Sequence, residues 1–581
     1  MSDDSRKFDA WNPGLDSKLP EALLPLVTLY RPETSTVGYD EARQAAEFCG
    51  RKPEEMVAFT AARLVRHELL IRLMADINVP DGPDYPELGE NLRRMAERIL
   101  TAHIQPHMAR LEQEFARLRE RIEQKLASRL AQDIDAKGAG KGAGGGLMAR
   151  LGKSRPKAEG GEPPEIEALL RWQDELARPG DAFELACLRG LQAIVGGIVG
   201  QRGRLFADRD LVLKWAADRV CNGYGSTRIG QMIQPMIREA VAAEGYRILP
   251  FQSAPVFMSV KGGPGAGKST LRPLQKELAD RLGLPWRDFA LISPDYCRKF
   301  LLDYDSLGAH RKYAAALTGQ ELDILDKKID HYMEQKAMRS EMPHVLVDRF
   351  RFDSFVPAPF ARPGGTLLSR FADTVYLFFM ITPPEQAVER VWQRGLKTGR
   401  YKALDDILHF TAEANVGMPQ LFFSWVRKTN QKIHFEFLDN AVPEGERPRT
   451  AAFGWNGSLT VLDGAVLRSM DRNRALNIDA RTPEQLFPEG AAPSGDFLAR
   501  CIEEVGTVTF LDPGSLEVLG QTRGGACTYQ KDGFFAEIGL ADACRRGAGK
   551  TAISSRPEDA EPVDIEAEHA FTLGAWGGRD G

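Results

Sequence analysis

The chain has 581 residues, of which 27% are charged and 43% hydrophobic, and its formal net charge at neutral pH is −5. This composition is typical of a globular protein, and the charge argues against a strongly basic nucleic-acid binder. At roughly 150 residues per domain, the length predicts several folded units.

Targeting signals and cysteine usage favour a cytoplasmic protein. The first residues, Met1 to Lys7, lack the basic start and apolar core of a secretory signal, and the apolar runs are too short to span a bilayer. Seven cysteines are scattered without a Cys-x-x-Cys pair. We therefore expect neither a zinc site nor a disulfide framework, which fits a reducing compartment.

The N-terminal part of the chain is predicted to be helical over residues 1–134 and again over 165–250. Apolar residues recur at spacings of three and four, which indicates a helix that packs into a bundle: Met108, Leu111, Phe115, Leu118, Ile122, Leu126 and Leu130. Residues 135–164 are rich in Gly, Ala and Lys, a composition typical of a flexible linker.

Residues 251–441 alternate short apolar strands with helix-length segments. This pattern predicts an α/β domain with a mainly parallel five-stranded sheet and helices on both faces. The candidate strands are 255–260, 289–292, 344–347, 374–381 and 433–438. Residues 442–581 are predicted to be a C-terminal appendage, with one candidate strand at 459–462 and a disordered tail beyond Ser554.

The first candidate strand runs into a glycine-rich loop that fits the phosphate-loop pattern, Gly-x-x-x-x-Gly-Lys-Ser. Its glycines allow consecutive N–H groups to point at phosphate oxygens, its lysine reaches the β and γ phosphates, and its serine hydroxyl completes a magnesium shell. The sequence therefore predicts binding of ATP and Mg²⁺ by the loop residues Gly262, Gly263, Pro264, Gly265, Ala266, Gly267, Lys268, Ser269 and Thr270.

Two acidic residues follow later candidate strands, where an open α/β sheet places its ligand crevice. Asp295 suits a general base for an attacking hydroxyl, although a helix N-cap is an equally good interpretation. Arg298 is predicted to share its helix face and to hold an anionic substrate. Asp348 is predicted to be the second carboxylate on the magnesium side.

Arginines cluster in two places after the third and fourth candidate strands. Arg349 and Arg351 suit an anionic substrate, and a solvated surface is the alternative. Arg390, Arg394 and Arg400 suit a mobile lid that neutralises charge on a transferring phosphoryl group, and an ordinary basic helix surface is the alternative.

Together the loop, Asp295, Asp348, the arginine cluster and residues 404–416 resemble the zeta-toxin-like family of P-loop kinases, over about residues 254–440. The resemblance implies ATP-dependent phosphorylation of a small-molecule hydroxyl, as on a UDP-activated amino sugar in toxin–antitoxin systems. It implies that Lys268 and Ser269 hold ATP and magnesium and that Asp295 is the base. It also assigns phosphate contacts to Arg390, Arg394 and Arg400.

Two other functions remain open at this stage. A polynucleotide 5′-kinase would share the Gly-Lys-Ser-Thr loop and the Asp295-x-x-Arg298 spacing, although the net charge does not favour nucleic acid. A regulatory ATP-binding module without turnover is the third hypothesis. Because zeta-like kinases are restrained by a helical antitoxin partner, residues 1–250 are a candidate inhibitor in cis.

Overall fold

The protein is described by a computed structural model over residues 8–82, 85–135, 162–348, 372–487, 497–547, 554–556, 558 and 560–577. Over these residues an α-helical N-terminal region precedes a large, mostly parallel β-sheet.

Helices of the N-terminal region begin and end at residues that suit a helix terminus. Helix α6 begins after Asp181, whose carboxylate accepts hydrogen bonds from the N–H groups of Phe183 and Glu184, and it is followed by Gly203 in the left-handed conformation. The described helices of this region are α1 Tyr39–Cys49, α2 Ala61–Asp76, α3 Tyr85–Ile99, α4 Met108–Leu130, α5 Pro164–Leu176, α6 Ala182–Arg202, α7 Arg209–Val220 and α8 Ser226–Glu244.

Helix α4 confirms the helical spacing that the sequence shows. All seven residues of the predicted apolar stripe, from Met108 to Leu130, are buried. The helix packs against α2, α6 and α7. The stripe therefore belongs to a helical bundle, since its partners lie in the same chain.

Helix α6 is the one described helix that is long and apolar enough to cross a membrane by length and composition. It packs against α1, α4, α5 and α7, and seven of its residues are buried in the bundle. A central helix of a folded bundle passes the same test, and this packing favours that interpretation.

The sheet has ten strands, so the predicted number of five is wrong. Their order across the sheet is β10-β9-β8-β7-β6-β5-β4-β1-β3-β2. The strands are β1 Val256–Lys261, β2 Phe289–Ile292, β3 His344–Asp348, β4 Thr374–Ile381, β5 Lys432–Asp439, β6 Arg449–Trp455, β7 Ser458–Val461, β8 Thr507–Leu511, β9 Val518–Arg523 and β10 Ala526–Gln530.

The five strands predicted from the sequence are β1 to β5, which are adjacent and mutually parallel. Strands β6 to β10 extend the same sheet beyond β5, and all their pairings are antiparallel except that of β7 with β8. Of these, β7 confirms the candidate strand at 459–462. The other four escaped prediction because tight hairpins and short, mixed-polarity strands lack the continuous apolar runs of a buried parallel strand.

Helices cover both faces of the parallel half of the sheet. Alternate strand residues pack on one face against α9 and on the other against α11, α13 and the N-terminal helices. The remaining described helices are α9 Arg272–Arg281, α10 Arg298–Leu301, α11 Ala314–Met338, α12 Pro384–Thr398, α13 Leu404–Trp425, α14 Gly464–Asn473, α15 Phe497–Glu504, α16 Phe534–Glu537, α17 Ala541–Gly547 and α18 Ile565–His569.

Residues 560–577, which the sequence predicts to belong to a loose tail, contact the sheet. The Trp576 ring is buried and stacks on Phe453 of β6 at 4.4 Å between ring centroids. The N–H groups of Leu573 and Gly574 donate hydrogen bonds to the carboxylate of Glu436 in β5.

The described residues contain one disulfide bond, although none was expected from the sequence. Cys527 in β10 and Cys544 in α17 form a disulfide bond. Their separation of 17 residues carries no recognisable motif, so only the fold brings them together. Five further cysteines are buried free thiols.

Candidate active site

The glycine-rich loop joins β1 to the helix that follows it, at the carboxyl end of a central strand. Gly265 and Gly267 have φ angles of 73° and 88°, a region that favours glycine. A Cβ atom on Gly265 would lie 2.4 Å from the carbonyl oxygen of Ala387 in α12. The loop therefore needs a glycine at Gly265 both for its backbone conformation and for its close approach to α12.

Lys268 lies at the centre of this loop. Its ammonium group donates hydrogen bonds of 2.9 Å to the carbonyl oxygens of Gly262 and Gly263. Burial lowers the pKa of Lys268 to about 8, while the carboxylates of Asp348 and Asp295 oppose that shift. The side chain is thus half-buried near two carboxylates and positioned over the loop.

Two side chains that escaped prediction from the sequence form hydrogen bonds to the backbone of the loop. Asn440, directly after β5, donates from Nδ2 to the carbonyl oxygen of Ala266 at 2.9 Å. The hydroxyl of Thr382, directly after β4, donates to the same oxygen at 3.3 Å. Both residues are buried. A polar residue following an apolar strand was the available signal, the same one that identified Asp348.

Asp348 ends β3 beside the start of the loop, because it pairs in register with Val260 of β1. Its Oδ2 lies 3.8 Å from a guanidinium nitrogen of Arg272, the first residue of α9. Ser269 is half-buried in the loop, and the Thr270 hydroxyl donates to the carbonyl oxygen of Gly267 at 2.7 Å. The glycine-rich loop and the Asp348 carboxylate thus lie at the same edge of the sheet.

A magnesium ion fits the donors of Ser269 and Asp348, which offer the hard oxygen ligands that this ion prefers. Over the described residues no group of three or more His, Cys, Asp or Glu side chains converges to hold a metal. That absence does not bear on Mg²⁺, which usually takes only one or two protein carboxylates and its other ligands from phosphate and water.

Asp295 lies in a short 3₁₀ turn, Pro294–Cys297, that follows β2. Its Oδ1 accepts a hydrogen bond of 2.8 Å from Nε of Arg298. Neither this turn nor α10 after it has a side-chain cap hydrogen bond, so the N-cap interpretation has no support here. Burial raises the pKa of Asp295, but Arg298 and Arg400 outweigh burial and hold it well below its usual range.

Arg298, predicted to bind substrate, orients Asp295 in the structure. Besides its bond to Asp295, its Nη1 donates at 2.7 Å to the carbonyl oxygen of Ala315 and to the hydroxyl of Thr318. Both acceptors belong to α11. The guanidinium is therefore fixed between the carboxylate and this helix.

The predicted lid arginines divide into two groups. Arg390 in α12 donates at 2.9 Å to the carbonyl oxygens of Asn440 and Val442, so it contacts the chain after β5. Arg400 lies 3.8 Å from Asp295. Arg394 lies close enough to Lys268 to favour the neutral form of its ammonium group. Arg394 and Arg400 thus face the crevice, while Arg390 supports its wall.

Lys402 is a further cation at this edge, and it escaped prediction because it lies outside the arginine run. Its ammonium group lies 3.7 Å from Asp406 and over the Phe410 ring. Burial lowers its pKa, and Asp406 and Asp295 oppose that shift. The predicted substrate residues Arg349 and Arg351 lie outside the described residues.

Taken together, the carboxyl edge of β1, β2 and β3 gathers Lys268, Asp295 and Asp348, with cations from the segment after α12 facing them. Comparison with known proteins adds no family: no protein-family model matches this chain. No curated protein matches it either.

Proposed function

We propose that this chain is an ATP-dependent kinase of the P-loop class, which transfers the γ-phosphoryl group to a hydroxyl of a small molecule. The observation that carries the proposal is the meeting of Lys268, Asp295 and Asp348 at the carboxyl edge of three adjacent parallel strands. Ligands of open α/β sheets bind at that edge. A UDP-activated amino sugar is the acceptor that the resemblance to zeta-toxin-like kinases suggests.

The residues at this edge of the sheet divide into those that bind ATP and Mg²⁺, a general base, and cations that stabilise the transferred group. Lys268 and the loop N–H groups bind the β and γ phosphates, while Ser269 and Asp348 would hold Mg²⁺, which neutralises phosphate charge when bound. Asp295 is a carboxylate at neutral pH and takes the role of general base for the acceptor hydroxyl, although its pairing with Arg298 and Arg400 lowers its basicity in the ligand-free protein. Arg394, Arg400 and Lys402 offset the negative charge of the transferred group.

This chemistry also supports a location. A kinase needs MgATP, which the cytoplasm supplies, whereas the disulfide between Cys527 and Cys544 removes the support that the cysteine pattern gave to this location. The net charge of −5 supports a small-molecule acceptor over nucleic acid.

The experiment is phosphoryl transfer from γ-labelled ATP by the full-length chain, offered UDP-sugars or 5′-hydroxyl oligonucleotides. We expect label on the UDP-sugar class, and its loss in Lys268→Ala. Asp295→Asn should lower transfer by about 10²–10⁴ with ATP binding retained. The matched control is Asp305→Asn, since Asp305 is an exposed acid ten residues on that pairs with Arg311.

Each outcome separates the hypotheses. Label on the oligonucleotide would replace the small-molecule kinase by a polynucleotide kinase. ATP binding that Lys268→Ala abolishes, with no transfer to either class or to water, would instead favour a regulatory module. Equal loss in Asp295→Asn and Asp305→Asn would remove Asp295 from the catalytic role.

A further inference from the structure

Tyr296 stands between the helical region and the candidate active site. It directly follows Asp295 and is only 9% exposed. On one side its ring lies against α3, where a Cβ atom on Gly89 would come within 2.8 Å of the ring carbon Cδ1. Position 89 is therefore adjacent to the ring without room for a side chain.

The other side of Tyr296 faces the helix that follows the phosphate loop. Nη1 of Arg272 donates a hydrogen bond of 3.1 Å to the Tyr296 hydroxyl oxygen. Arg272 is 6% exposed. A guanidinium buried this far needs acceptors for its N–H groups, so the loss of the tyrosine oxygen would be unfavourable.

Arg272 also lies near Asp348, but too far away for a direct hydrogen bond. Its Nη2 lies 3.8 Å from Asp348 Oδ2, which exceeds hydrogen-bond length. If Arg272 moved closer to form a direct bidentate pair, it would occupy the lone pairs that a cation needs. The hydrogen bond to the Tyr296 hydroxyl is one of the contacts that hold the guanidinium in its present position.

We propose that Tyr296 is a positioning residue: its hydroxyl restrains Arg272 from pairing directly with Asp348 and so preserves the carboxylate for Mg²⁺. This inference rests on the proposed function and deepens it. Because α3 contacts the Tyr296 ring, the helical region supports a residue next to Asp295. A second contact, between Asp81 and Lys276 of α9 at 3.0 Å, holds the same two parts together.

The test is Tyr296→Phe, which keeps the ring and removes the oxygen. We expect the Mg²⁺ concentration for half-maximal binding of a non-hydrolysable ATP analogue, measured by calorimetry, to rise about tenfold, the effect of one lost hydrogen bond to a charged group. Affinity for the analogue in EDTA should stay unchanged. Gly89→Ala, which displaces the ring, should shift the Mg²⁺ dependence in the same direction.

The matched control is Tyr332→Phe. Tyr332 in α11 also makes one hydroxyl bond between the two parts of the chain, a 2.6 Å bond to Asp76, far along the sequence from the loop. We expect its Mg²⁺ dependence to equal that of the wild type. A shift of the same size in this control would mean that the effect is a general loosening of the interface.

The outcomes distinguish this proposal from the function on which it rests. If the wild type binds the analogue, Lys268→Ala abolishes binding and Tyr296→Phe leaves the Mg²⁺ dependence within twofold, then the proposal is wrong and the kinase assignment stands. If the wild type binds no nucleotide with or without Mg²⁺, the proposed function is wrong and the role of Tyr296 is overturned with it.

Discussion

The side-chain amide of Asn440 donates a 2.9 Å hydrogen bond to the carbonyl oxygen of Ala266, across a separation of 174 residues. The bond connects the end of β5 to the loop that follows β1. Thr382 donates to the same oxygen, so the carbonyl of the peptide between Ala266 and Gly267 is fixed toward Asn440 and Thr382. Because the peptide is trans, its N–H points away from these two residues.

We expect Asn440→Ala to weaken binding of an ATP analogue about tenfold, because a loop that loses this bond must be ordered by the ligand itself. The substitution removes the amide but keeps the backbone carbonyl that accepts from Arg390. Isothermal titration calorimetry measures the change.

The control for this variant is Asn456→Ala. Asn456 makes comparable hydrogen bonds at the amino-terminal end of β5, away from the loop. Its Nδ2 donates to the carbonyl oxygen of Gln431 at 3.0 Å. It should lower the thermal unfolding midpoint without changing nucleotide affinity. Unchanged affinity in Asn440→Ala would show that the loop keeps its conformation without the amide.

The lowered pKa of Lys268 predicts a pH dependence of nucleotide binding. With a pKa of about 8 in the ligand-free protein, the ammonium group is mostly charged at pH 7 and mostly neutral at pH 9. Phosphate binds the charged form, so affinity should fall with rising pH, approaching tenfold per pH unit above the pKa. Titration calorimetry between pH 7.5 and 9.5 follows the trend.

Lys268→Met provides the comparison for this titration. It should bind weakly at every pH and show no slope in this range, since no group remains to lose a proton. A wild-type slope that persists in Lys268→Met would assign the titration to another group.

The parts of the site that the sequence predicts are those encoded locally. The loop pattern, the apolar strand before it and the acidic ends of β2 and β3 occupy a few consecutive residues each, so the residue types and their spacing suffice. Asp295 and Asp348 were found by the rule that carboxyl ends of parallel strands meet at one edge.

The residues that escaped prediction act over long sequence separations. Asn440 and Thr382 matter only because β4 and β5 lie beside β1, and Lys402 matters because its segment folds back toward Asp295. For the same reason Arg390, which belongs to a basic run in the sequence, is tied to backbone carbonyls instead. The order of residues along the chain does not show which distant residues a side chain contacts in the folded protein.

Glu436 predicts a pH dependence of stability. Burial raises the pKa of this β5 carboxyl to about 7, although the N–H groups of Gly574 and Leu573 and the hydroxyl of Thr450 oppose the shift. The folded state therefore holds this proton more tightly than the unfolded state. Stability from this group is fully present below the ordinary pKa of about 4.5 and is lost as pH rises through about 7.

Unfolding of wild type and Glu436→Gln, followed from pH 4.5 to 8, isolates this contribution. The free energy of unfolding of the wild type should fall relative to the variant by roughly 3 kcal/mol over this range, the equivalent of the pKa shift. Parallel curves for the two proteins would contradict the shifted pKa.

A buried ion pair joins the two parts of the chain. Both carboxylate oxygens of Glu321 in α11 accept 2.6 Å hydrogen bonds from Arg63 in α2, and Nε2 of His67 lies 2.7 Å from Oε1. Burial raises the pKa of Glu321, but the bonds from His67 and Arg63 outweigh burial and lower it overall. The carboxylate is therefore charged in the folded protein and fully paired.

We expect Glu321→Ala to lower the free energy of unfolding by about 3–5 kcal/mol, because it leaves the guanidinium of Arg63 buried without its counter-charge. The double variant Arg63→Met with Glu321→Leu should be much closer to the wild type, since well-packed apolar groups replace a buried pair at little loss. Chemical denaturation of the full chain measures both. If Glu321→Ala loses less than about 1 kcal/mol, as an exposed pair would, the interface does not depend on this contact and the helical region is held to the sheet by apolar packing.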